Sequence, residues 1–285
     1  MKNIPVLYCS EMSAHTNSFS PSSDKPRQAV ADWAQHGLPI TLVGPEPIEV
    51  KDLYRAHDQQ HVDFILAGEK PNGFGNRDIE VANTLLYTTG AMFEAARLAC
   101  ANGKVACAPV SGFHHAGWGF AGGFCTFNGL MVTLYKLRSC GLIERAAILD
   151  LDMHYGNGTQ DIIALLGSSY WVNHYSGAPS VDHAEEWLQQ LPEIVAAVLY
   201  KADILLYQAG ADSHVNDPLG GYLTTEQMRR RDRIVFETCK EMGVPVAWNL
   251  AGGYQRDENG SIEPVLALHR ATMEECAAVF TAQAD

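Results

Sequence analysis

The sequence is 285 residues long, with 47% hydrophobic residues, 19% charged residues and a formal net charge of −13. This composition is typical of a globular protein with a large core, and the negative charge argues against a general nucleic-acid-binding protein, which needs a basic face. No apolar run reaches the roughly 18 to 20 residues that span a bilayer. The apolar run near the N-terminus is too short for a signal peptide. We therefore expect a soluble cytoplasmic protein that binds neither nucleic acid nor a membrane.

The seven cysteines are consistent with a reducing compartment. Their number is odd and none forms a C-x-x-C pair. Several lie among apolar residues, so we predict reduced thiols that are buried at Cys100, Cys107 and Cys140.

The first part of the chain combines short apolar strands with several helices. We predict strands at 4–8 and 39–43, and helices at 25–36, 50–55, 57–66 and 79–101. The helix at 79–101 has the clearest pattern, because its apolar residues recur near a period of 3.6. Asn102 and Gly103 end it, since glycine readily adopts the left-handed conformation that follows a helix.

From residue 104 onwards strands and helices alternate regularly. Strands are predicted at 104–110, 145–151, 170–174, 203–208 and 246–250, and helices at 128–140, 159–166, 185–201, 224–242 and 262–280. Near-continuous apolar strands between amphipathic helices predict a mostly parallel central sheet covered on both faces. The fold class is therefore a three-layer α/β/α architecture, and the absence of a repeat or linker predicts one domain over residues 1–285.

A group of polar residues lies at the end of the strand at 145–151, in the segment Ala-Ile-Leu-Asp-Leu-Asp-Met-His-Tyr-Gly-Asn-Gly at 147–158. Because side chains on a strand alternate with a period of two, Asp150, Asp152 and His154 are predicted to point to one side. Two carboxylates and an imidazole that close together favour a bound divalent metal. The alternative is a strand end whose acids cap the next helix.

Other polar residues follow neighbouring strands. The segment at 112–125 contains His114-His115, the segment at 208–213 contains Asp212, and the segment at 249–254 ends in Gly-Gly-Tyr. In an open parallel sheet the carboxyl ends of the strands form the crevice where ligands bind. We therefore expect these residues to lie close together.

These residue types indicate metal-assisted hydrolysis. Asp152, His154 and Asp212 would supply an imidazole and two carboxylates, a set that suits zinc or ferrous iron and leaves positions open for water and substrate. The pair His114 and His115 could act as general base and general acid beside a metal-activated water. Taken alone, a His-His pair is more often a solvated loop feature.

Three further residues complete the predicted site. Asp150 and Asn157 are candidates to orient the two imidazoles through their far nitrogens. Tyr254, which follows two glycines, could donate its hydroxyl to a developing oxyanion, although such a tyrosine is usually a packing residue. The combination predicts hydrolysis of an amide or an ester.

The order of these motifs resembles the zinc-dependent histone deacetylase family. The motifs are Gly-Phe-His-His-Ala at 112–116, Asp-Leu-Asp-Met-His-Tyr-Gly-Asn-Gly-Thr-Gln at 150–160, Ala-Gly-Ala-Asp-Ser at 209–213, Asp-Pro-Leu-Gly-Gly at 217–221 and Ala-Gly-Gly-Tyr at 251–254. The Gly-Asn-Gly-Thr-Gln and Asp-Pro-Leu-Gly-Gly segments are most similar to the class II branch and its bacterial relatives. The resemblance implies the arginase–deacetylase fold.

The resemblance also implies roles for single residues. It implies that Asp152, His154 and Asp212 bind Zn2+, with Fe2+ as an alternative in the cell. His114 and His115 become the catalytic pair with Asp150 and Asn157 behind them, Tyr254 polarises the substrate carbonyl, and a structural K+ lies near Asp150. The implied substrate-binding residues are Gly123 and Phe124, which line the acyl-lysine tunnel, and Leu219, Gly252 and Gly253.

Several positions depart from the family pattern. Tyr155 stands where many members have a second histidine. The loop at 175–179 is short and lacks the Phe-Phe-Pro that forms the second aromatic wall of the tunnel. Leu219 stands where acetylpolyamine-preferring relatives have a glutamate, so it cannot attract a distal ammonium group.

We therefore predict a zinc-dependent amidohydrolase that removes an acetyl or related acyl group from a lysine-type or small amine. Alternatives are an acetylpolyamine or other small-metabolite amidohydrolase, and a non-catalytic acyl-lysine-binding module. An arginase-like dimanganese enzyme would need an Asp-Ala-His-x-Asp run, and the chain has Asp-Met-His-Tyr-Gly instead.

Overall fold

The computed structural model describes residues 1–16 and 18–281, and within these ranges one sheet contains seven strands. The strands are β1 (Ile4–Leu7), β2 (Ile40–Val43), β3 (Val105–Ala108), β4 (Ala146–Asp150), β5 (Val172–Ser176), β6 (Leu205–Gly210) and β7 (Val246–Ala251). Their order is β2-β1-β3-β7-β6-β4-β5, and each pair of neighbours is parallel. The prediction of a mostly parallel sheet is confirmed.

Helices cover both faces of this sheet. They are α1 (Lys25–Gln35), α2 (Val50–Leu53), α3 (Gln59–Leu66), α4 (Ile79–Asn102), α5 (Gly129–Ser139), α6 (Asn157–Leu165), α7 (Ala184–Val198), α8 (Thr225–Met242) and α9 (Glu263–Thr281). Residues of α1, α7, α8 and α9 pack in one hydrophobic core, and residues of α3 to α6 pack in the other. The α/β/α layering therefore agrees with the sequence pattern.

Alternating side chains of the strands feed these two cores. In β4, Ala147 and Leu149 belong to the core with α7, α8 and α9, whereas Ala146 and Ile148 belong to the core with α4, α5 and α6. This alternation follows from the period of two along a strand. Because both faces are buried, the strand reads as an unbroken apolar run in the sequence.

Helix ends follow local signals that the sequence carries. The Asp78 carboxylate accepts a hydrogen bond from the Glu80 N–H at the start of α4, and Gly103 ends this helix with a φ of 65°. Thr224 and Gln227 form a capping box at the start of α8. These signals explain why the predicted boundaries lie close to the observed ones.

The sheet order determines which loops meet. β7, the last strand in the chain, lies in the middle of the sheet between β3 and β6. Asp150 of β4 pairs with Gln208 of β6, which in turn pairs with Asn249 of β7. The residues that follow these three strands therefore emerge side by side at one edge, as expected for a ligand crevice.

The cysteines and the helices bear on two further predictions. All seven cysteines are free thiols, with Cys107 buried and Cys100 partly buried. Cys140 is exposed, so its predicted burial is wrong; it directly follows the last turn of α5 and points away from the core. Within 1–16 and 18–281, the helices are all too short or too polar to cross a membrane.

Candidate active site

Three predicted metal ligands meet at the carboxyl end of the sheet. One ligand atom each from Asp152, His154 and Asp212 lies within 4.8 Å of the other two. The His154 Nδ1 atom is 3.2 Å from Asp152 Oδ1 and 3.1 Å from Asp212 Oδ2. Both carboxylates are buried and the imidazole is partly exposed. The structure thus brings the three residues together, and their binding of a metal remains a prediction.

Backbone groups hold the two carboxylates in place. The Met153 N–H donates to Asp212 Oδ1 at 3.1 Å, and the His154 N–H donates to Asp152 Oδ1 at 2.9 Å. β4 ends at Asp150, and the next residues form a bend. The predicted alignment of Asp150 with Asp152 and His154 by a strand period is therefore wrong, because β4 does not continue beyond Asp150.

The donor set fits a divalent cation. Hydrogen bonding to Asp152 and Asp212 raises the pKa of the His154 imidazole to about 10. Burial, followed by the charge of Asp152, raises the pKa of Asp212 to about 6. The His154 pKa shift, and the part of the Asp212 shift that comes from Asp152, reflect negative charges placed close together, which a cation would stabilise. One imidazole with two carboxylates is also a set that zinc and ferrous iron accept.

Asp150 serves the neighbouring imidazole. His114 Nδ1 donates to Asp150 Oδ2 at 2.8 Å, and both side chains are buried. The other carboxylate oxygen, Oδ1, accepts a hydrogen bond from Gln208 Nε2 at 3.2 Å. The far nitrogen of His114, Nε2, lies 3.8 Å from Asp152 Oδ1 and so faces the candidate metal ligands.

His115 has a different partner. Its Nδ1 donates to Asn157 Oδ1 at 2.6 Å, where Asn157 is the first residue of α6. The rings of His114 and His115 lie side by side, with their centroids 4.0 Å apart. The predicted pairing of each histidine with its own orienting residue is therefore present in the structure.

The surroundings drive the pKa values of the two histidines in opposite directions. Burial disfavours the charged form of His114, but Asp150 and Asp152 outweigh it and raise its pKa to about 9. Burial and the neighbouring His114 lower the pKa of His115 to about 4. His115 is therefore neutral near pH 7 and has a nitrogen free to accept a proton.

Tyr254 approaches the same site on a glycine turn. Gly252 has a φ of 48°, and a Cβ there would lie 2.2 Å from the Asp212 carboxyl carbon, so only glycine permits this approach. The Tyr254 N–H donates to Asp217 Oδ2 at 2.8 Å. Burial, together with Asp152 and Asp212, raises the pKa of the Tyr254 phenol, so its hydroxyl remains a donor.

Other predicted substrate-binding residues lie around this centre. A Cβ at Gly123 would lie 2.5 Å from His115 Cδ2, so this glycine lies against the imidazole face. A Cβ at Gly253 would instead contact Val265 and Ala211, on the core side of the turn. Leu219 is 42% exposed, and its N–H donates to Asp217, the residue that also binds the Tyr254 N–H.

Aromatic rings surround Tyr254. The Phe124 ring lies 5.7 Å from the Tyr254 ring and 5.9 Å from the Phe74 ring, measured between centroids. Phe19, from the loop before α1, stacks on the Tyr254 ring with the centroids 5.6 Å apart and an interplanar angle of 18°. The sequence indicated Phe124 and a missing second wall, and it gave no indication of Phe19.

Comparisons with known proteins identify the family of this chain. The family model described as "Histone deacetylase domain" matches residues 23–176 and 172–265. The chain belongs to the histone deacetylase family. The predicted resemblance is therefore confirmed.

Several curated proteins are similar to half or more of this chain. An uncharacterized protein of Picosynechococcus sp. is 32% identical over 68% of this chain and 70% of its own length. A "Probable deacetylase" of Archaeoglobus fulgidus is 27% identical over 75% of this chain and 69% of its own length. An "Acetylpolyamine amidohydrolase" of Mycoplana ramosa is 28% identical over 52% of this chain and 50% of its own length.

Two solved structures share the fold of this chain. The HDA15 HD domain has a TM-score of 0.78 at 20% identity, covering 100% of this chain and 91% of that one. An acetylpolyamine aminohydrolase from Burkholderia pseudomallei has a TM-score of 0.72 at 17% identity, covering 97% of this chain and 99% of that one. The predicted arginase–deacetylase type of fold is thereby confirmed.

The sequence assigned no role to two charged residues that lie beside the site of this histone deacetylase family member. The Lys25 ammonium group is fully buried and donates to the Gly252 carbonyl and to Ser111 Oγ. Burial lowers its pKa to about 8, while Asp212 and Asp152 act in the opposite direction. Asp217 is the second, since it holds the Tyr254 turn. A lysine at the start of a helix reads as a surface residue, and no local pattern marks it otherwise.

Proposed function

We propose that the chain catalyses zinc-dependent hydrolysis of an N-acyl amide, with acetyl as the preferred acyl group, on a lysine-type or small amine. Its family makes it a deacetylase or amidohydrolase. The identity of the metal as zinc and the identity of the substrate are what we propose. The observation that carries the proposal is the convergence of Asp152, His154 and Asp212 beside the imidazole of His114 and the turn of Tyr254. We also propose that residues 1–285 form a single catalytic domain.

Asp152, His154 and Asp212 would hold the metal ion. A divalent ion in such a site polarises the acyl oxygen and lowers the pKa of water. Zn2+ suits the mixed nitrogen and oxygen ligands, and Fe2+ would suit them as well. A structural K+ near Asp150 would have the Ser176 hydroxyl within reach, since Ser176 Oγ lies 3.5 Å from Asp150 Oδ2.

His115 is the proposed general base. Its neutral imidazole is anchored through Nδ1 to Asn157, so Nε2 is free to accept a proton from the attacking water. The same nitrogen then returns that proton to the amine nitrogen as the amide C–N bond breaks. His114, held by Asp150, would act beside it by stabilising the negative charge that develops on the acyl group.

Tyr254 is the proposed oxyanion donor. Its hydroxyl would donate to the acyl oxygen while the carbonyl carbon becomes tetrahedral. The Asp217 carboxylate and the buried Lys25 hold the turn from two sides, through the Tyr254 N–H and the Gly252 carbonyl. The hydroxyl is thus positioned in advance, which is what such a donor requires.

An acyl-lysine is the substrate that the surroundings favour. Gly123 and Phe124 would line a narrow channel, with Phe19 forming part of its opposite wall. Acetylpolyamine hydrolysis is the second candidate, because relatives of that name match half of the chain. Leu219 argues against it, since an exposed leucine offers no charge to a distal ammonium group. A purely acyl-lysine-binding role would leave the ordered His115–Asn157 and His114–Asp150 pairs without a use.

The test is a substrate panel on metal-defined protein. The chain is stripped with a chelator, reloaded with one equivalent of Zn2+ or Fe2+, and assayed on an acetyl-lysine peptide, longer acyl-lysine peptides and an acetylated polyamine. We expect turnover only after metal loading, and highest on acetyl-lysine. Chelator-insensitive turnover, or zinc-loaded protein without turnover on any member of the panel, would contradict the proposal.

A further inference from the structure

Arg231 lies beneath both carboxylate ligands of the proposed metal site. It belongs to α8 and its side chain is fully buried. Its Nη1 atom donates to the carbonyl of Leu151 at 3.2 Å and to the carbonyl of Gly210 at 2.8 Å. Leu151 directly precedes Asp152, and Gly210 lies two residues before Asp212. One guanidinium group therefore binds both ligand-bearing segments.

The two segments need such a link because the sheet ends here. The last ladder bond between β4 and β6 runs from the Leu151 N–H to the Gln208 carbonyl at 3.1 Å. Buried carbonyls beyond that point must find other donors. Arg231 supplies donors to both strand ends, and the Ser213 hydroxyl donates to the same Leu151 carbonyl at 2.8 Å.

The segments are also in close contact. A Cβ at Gly210 would lie 2.4 Å from the Asp152 Cα, so the two backbones touch where the ligands begin. If the Leu151 or Gly210 carbonyl moved relative to Arg231, the carboxylate of Asp152 or Asp212 in the same segment would move with it. The spacing between the Asp152 and Asp212 carboxylates is therefore coupled to the position of this guanidinium group.

Neighbouring elements fix the guanidinium group itself. Its Nε donates to Asp232 Oδ1 at 2.7 Å. Asp232 in turn accepts hydrogen bonds from the Tyr207 hydroxyl of β6 and, at 2.6 Å, from the Thr272 hydroxyl of α9. The guanidinium group is planar and always charged, so its hydrogen bond to Asp232 sets the direction of its other donors. A flexible ammonium group would not be oriented in this way.

We propose that Arg231 is a positioning residue of the metal site and that it sets the separation of Asp152 and Asp212. This inference rests on the proposed function, because it assumes that these residues bind a metal. Residues behind metal ligands typically change metal affinity or activity by about 10- to 100-fold when they are replaced. A purely structural ion pair would instead change stability without changing the affinity of the folded protein.

The test compares three variants for Zn2+ affinity and thermal stability. Arg231→Lys keeps the charge but cannot serve both carbonyls and Asp232 in one plane. Arg233→Lys is the matched control, because it lies on the same helix, is 53% exposed and pairs with Glu275. Tyr207→Phe removes a different hydrogen bond of the same buried network. Affinity is measured by competition with a chromophoric chelator, and geometry by the absorption spectrum of the Co2+-loaded protein.

We expect Arg231→Lys to raise the Zn2+ dissociation constant by about 10- to 100-fold and to change the Co2+ spectrum. Arg233→Lys should stay within twofold of the unmodified chain, and Tyr207→Phe should lower the thermal midpoint of the metal-free protein with little change in affinity. An Arg231→Lys affinity within threefold of the unmodified chain would overturn the inference. Equal losses of affinity in Arg231→Lys and the control Arg233→Lys would overturn it too.

Ser213→Ala provides a second, milder test should Arg231→Lys fail to fold. It removes the other donor to the Leu151 carbonyl and deletes only a hydroxyl. We expect a several-fold weaker Zn2+ affinity with the same direction of spectral change, and an unchanged affinity would overturn the inference. An unmodified chain that binds no Zn2+ would contradict the proposed function itself, which separates the two failures.

Discussion

The floor and the mouth of the candidate site are built in different ways. The floor consists of Asp150, Asp152, His154, Asp212 and the His114–His115 pair, and backbone N–H groups or buried side chains hold its carboxylates. The mouth consists of Phe19, Phe74, Phe124 and Leu219, of which Phe19 is 53% and Leu219 is 42% exposed. Its rings are held mainly by contact with one another and with Tyr254.

Because of this difference, replacements are tolerated less well in the floor than in the mouth. A buried carboxylate that loses its donors costs about 1–3 kcal/mol or more, so residues of the floor have few replacements. An aromatic contact at a half-exposed position contributes about 0.5–1.5 kcal/mol, so the mouth can change while the fold is kept. The floor therefore indicates acyl-amide hydrolysis, whereas we propose that the mouth determines which amine is accepted.

Replacing Tyr254 with Phe should have the largest effect. We expect kcat to fall by about 10²- to 10³-fold, because one preorganised oxyanion donor is worth about 2.7–4 kcal/mol. Zn2+ affinity should be unchanged, since the phenol is not a ligand. Tyr155→Phe, at the exposed tyrosine beside His154, is the control. Steady-state kinetics on the zinc-loaded chain would contradict the role if the Tyr254 variant turned over within threefold of the unmodified chain.

Metal binding to the floor should release protons. The pKa of His154 is about 10 in the metal-free chain, so its imidazole is protonated at pH 7 to 9 and must lose that proton before it can bind a metal. We expect the apparent association constant for Zn2+ to rise by at least about tenfold per pH unit across this range. Calorimetry in two buffers of different ionisation enthalpy measures the protons released. Metal uptake without proton release would show that His154 is not a ligand.

Removing Phe19 should change the mouth and spare the floor. We expect Phe19→Ala to raise KM for an acetyl-lysine peptide by about two- to tenfold with little change in kcat, as the loss of one aromatic pair implies. Phe120→Ala is the matched control, because Phe120 is 40% exposed on the loop that carries His114. A drop in kcat at constant KM, or the same effect in the control, would contradict a role in the channel wall.

Leu219→Glu should give the smallest effect. A glutamate at this exposed position is expected to favour an acetylated polyamine over a neutral acylated amine by up to about fivefold, because exposed charge pairs contribute about 0–1 kcal/mol. The preference should weaken as salt is added. Comparison of kcat/KM for the two substrates at low and high salt measures it. An equal gain for the neutral substrate would place Leu219 away from the path of the distal ammonium group.

The sequence predicted the floor because its residues follow apolar strands in recognisable motifs. Asp152, His154 and Asp212 each lie within a few residues of a strand end, and the rule for parallel sheets brings such ends together. The sequence does not predict the strand order, because alternating strands and helices are compatible with many strand orders in a parallel sheet. The common orientation of Asp150, Asp152 and His154 was predicted wrongly, since an apolar strand pattern does not reveal that the chain bends after β4.

Residues that act from a distance left no sequence signal. Lys25 and Arg231 lie at helix positions where a charged residue normally faces water, and only the assembled fold buries them. Phe19 lies in a polar loop far from the motifs in sequence, and its contact with Tyr254 depends on how the loop before α1 returns to the sheet. The burial and contacts of such residues depend on the tertiary structure, and the periodicity of the sequence gives no information about them.

The central place of β7 has a consequence for how the molecule is made. β1, β2 and β3 form one half of the sheet, β4, β5 and β6 form the other, and the last strand of the chain joins them. During synthesis the two halves therefore cannot close into one sheet until the residues of β7 have been made, and such long-range pairing forms slowly. Tyr254 follows this closing strand, so the proposed catalytic site is complete only when the sheet is. A polypeptide truncated before residue 246 would carry all three candidate ligands and still lack the strand on which their arrangement depends.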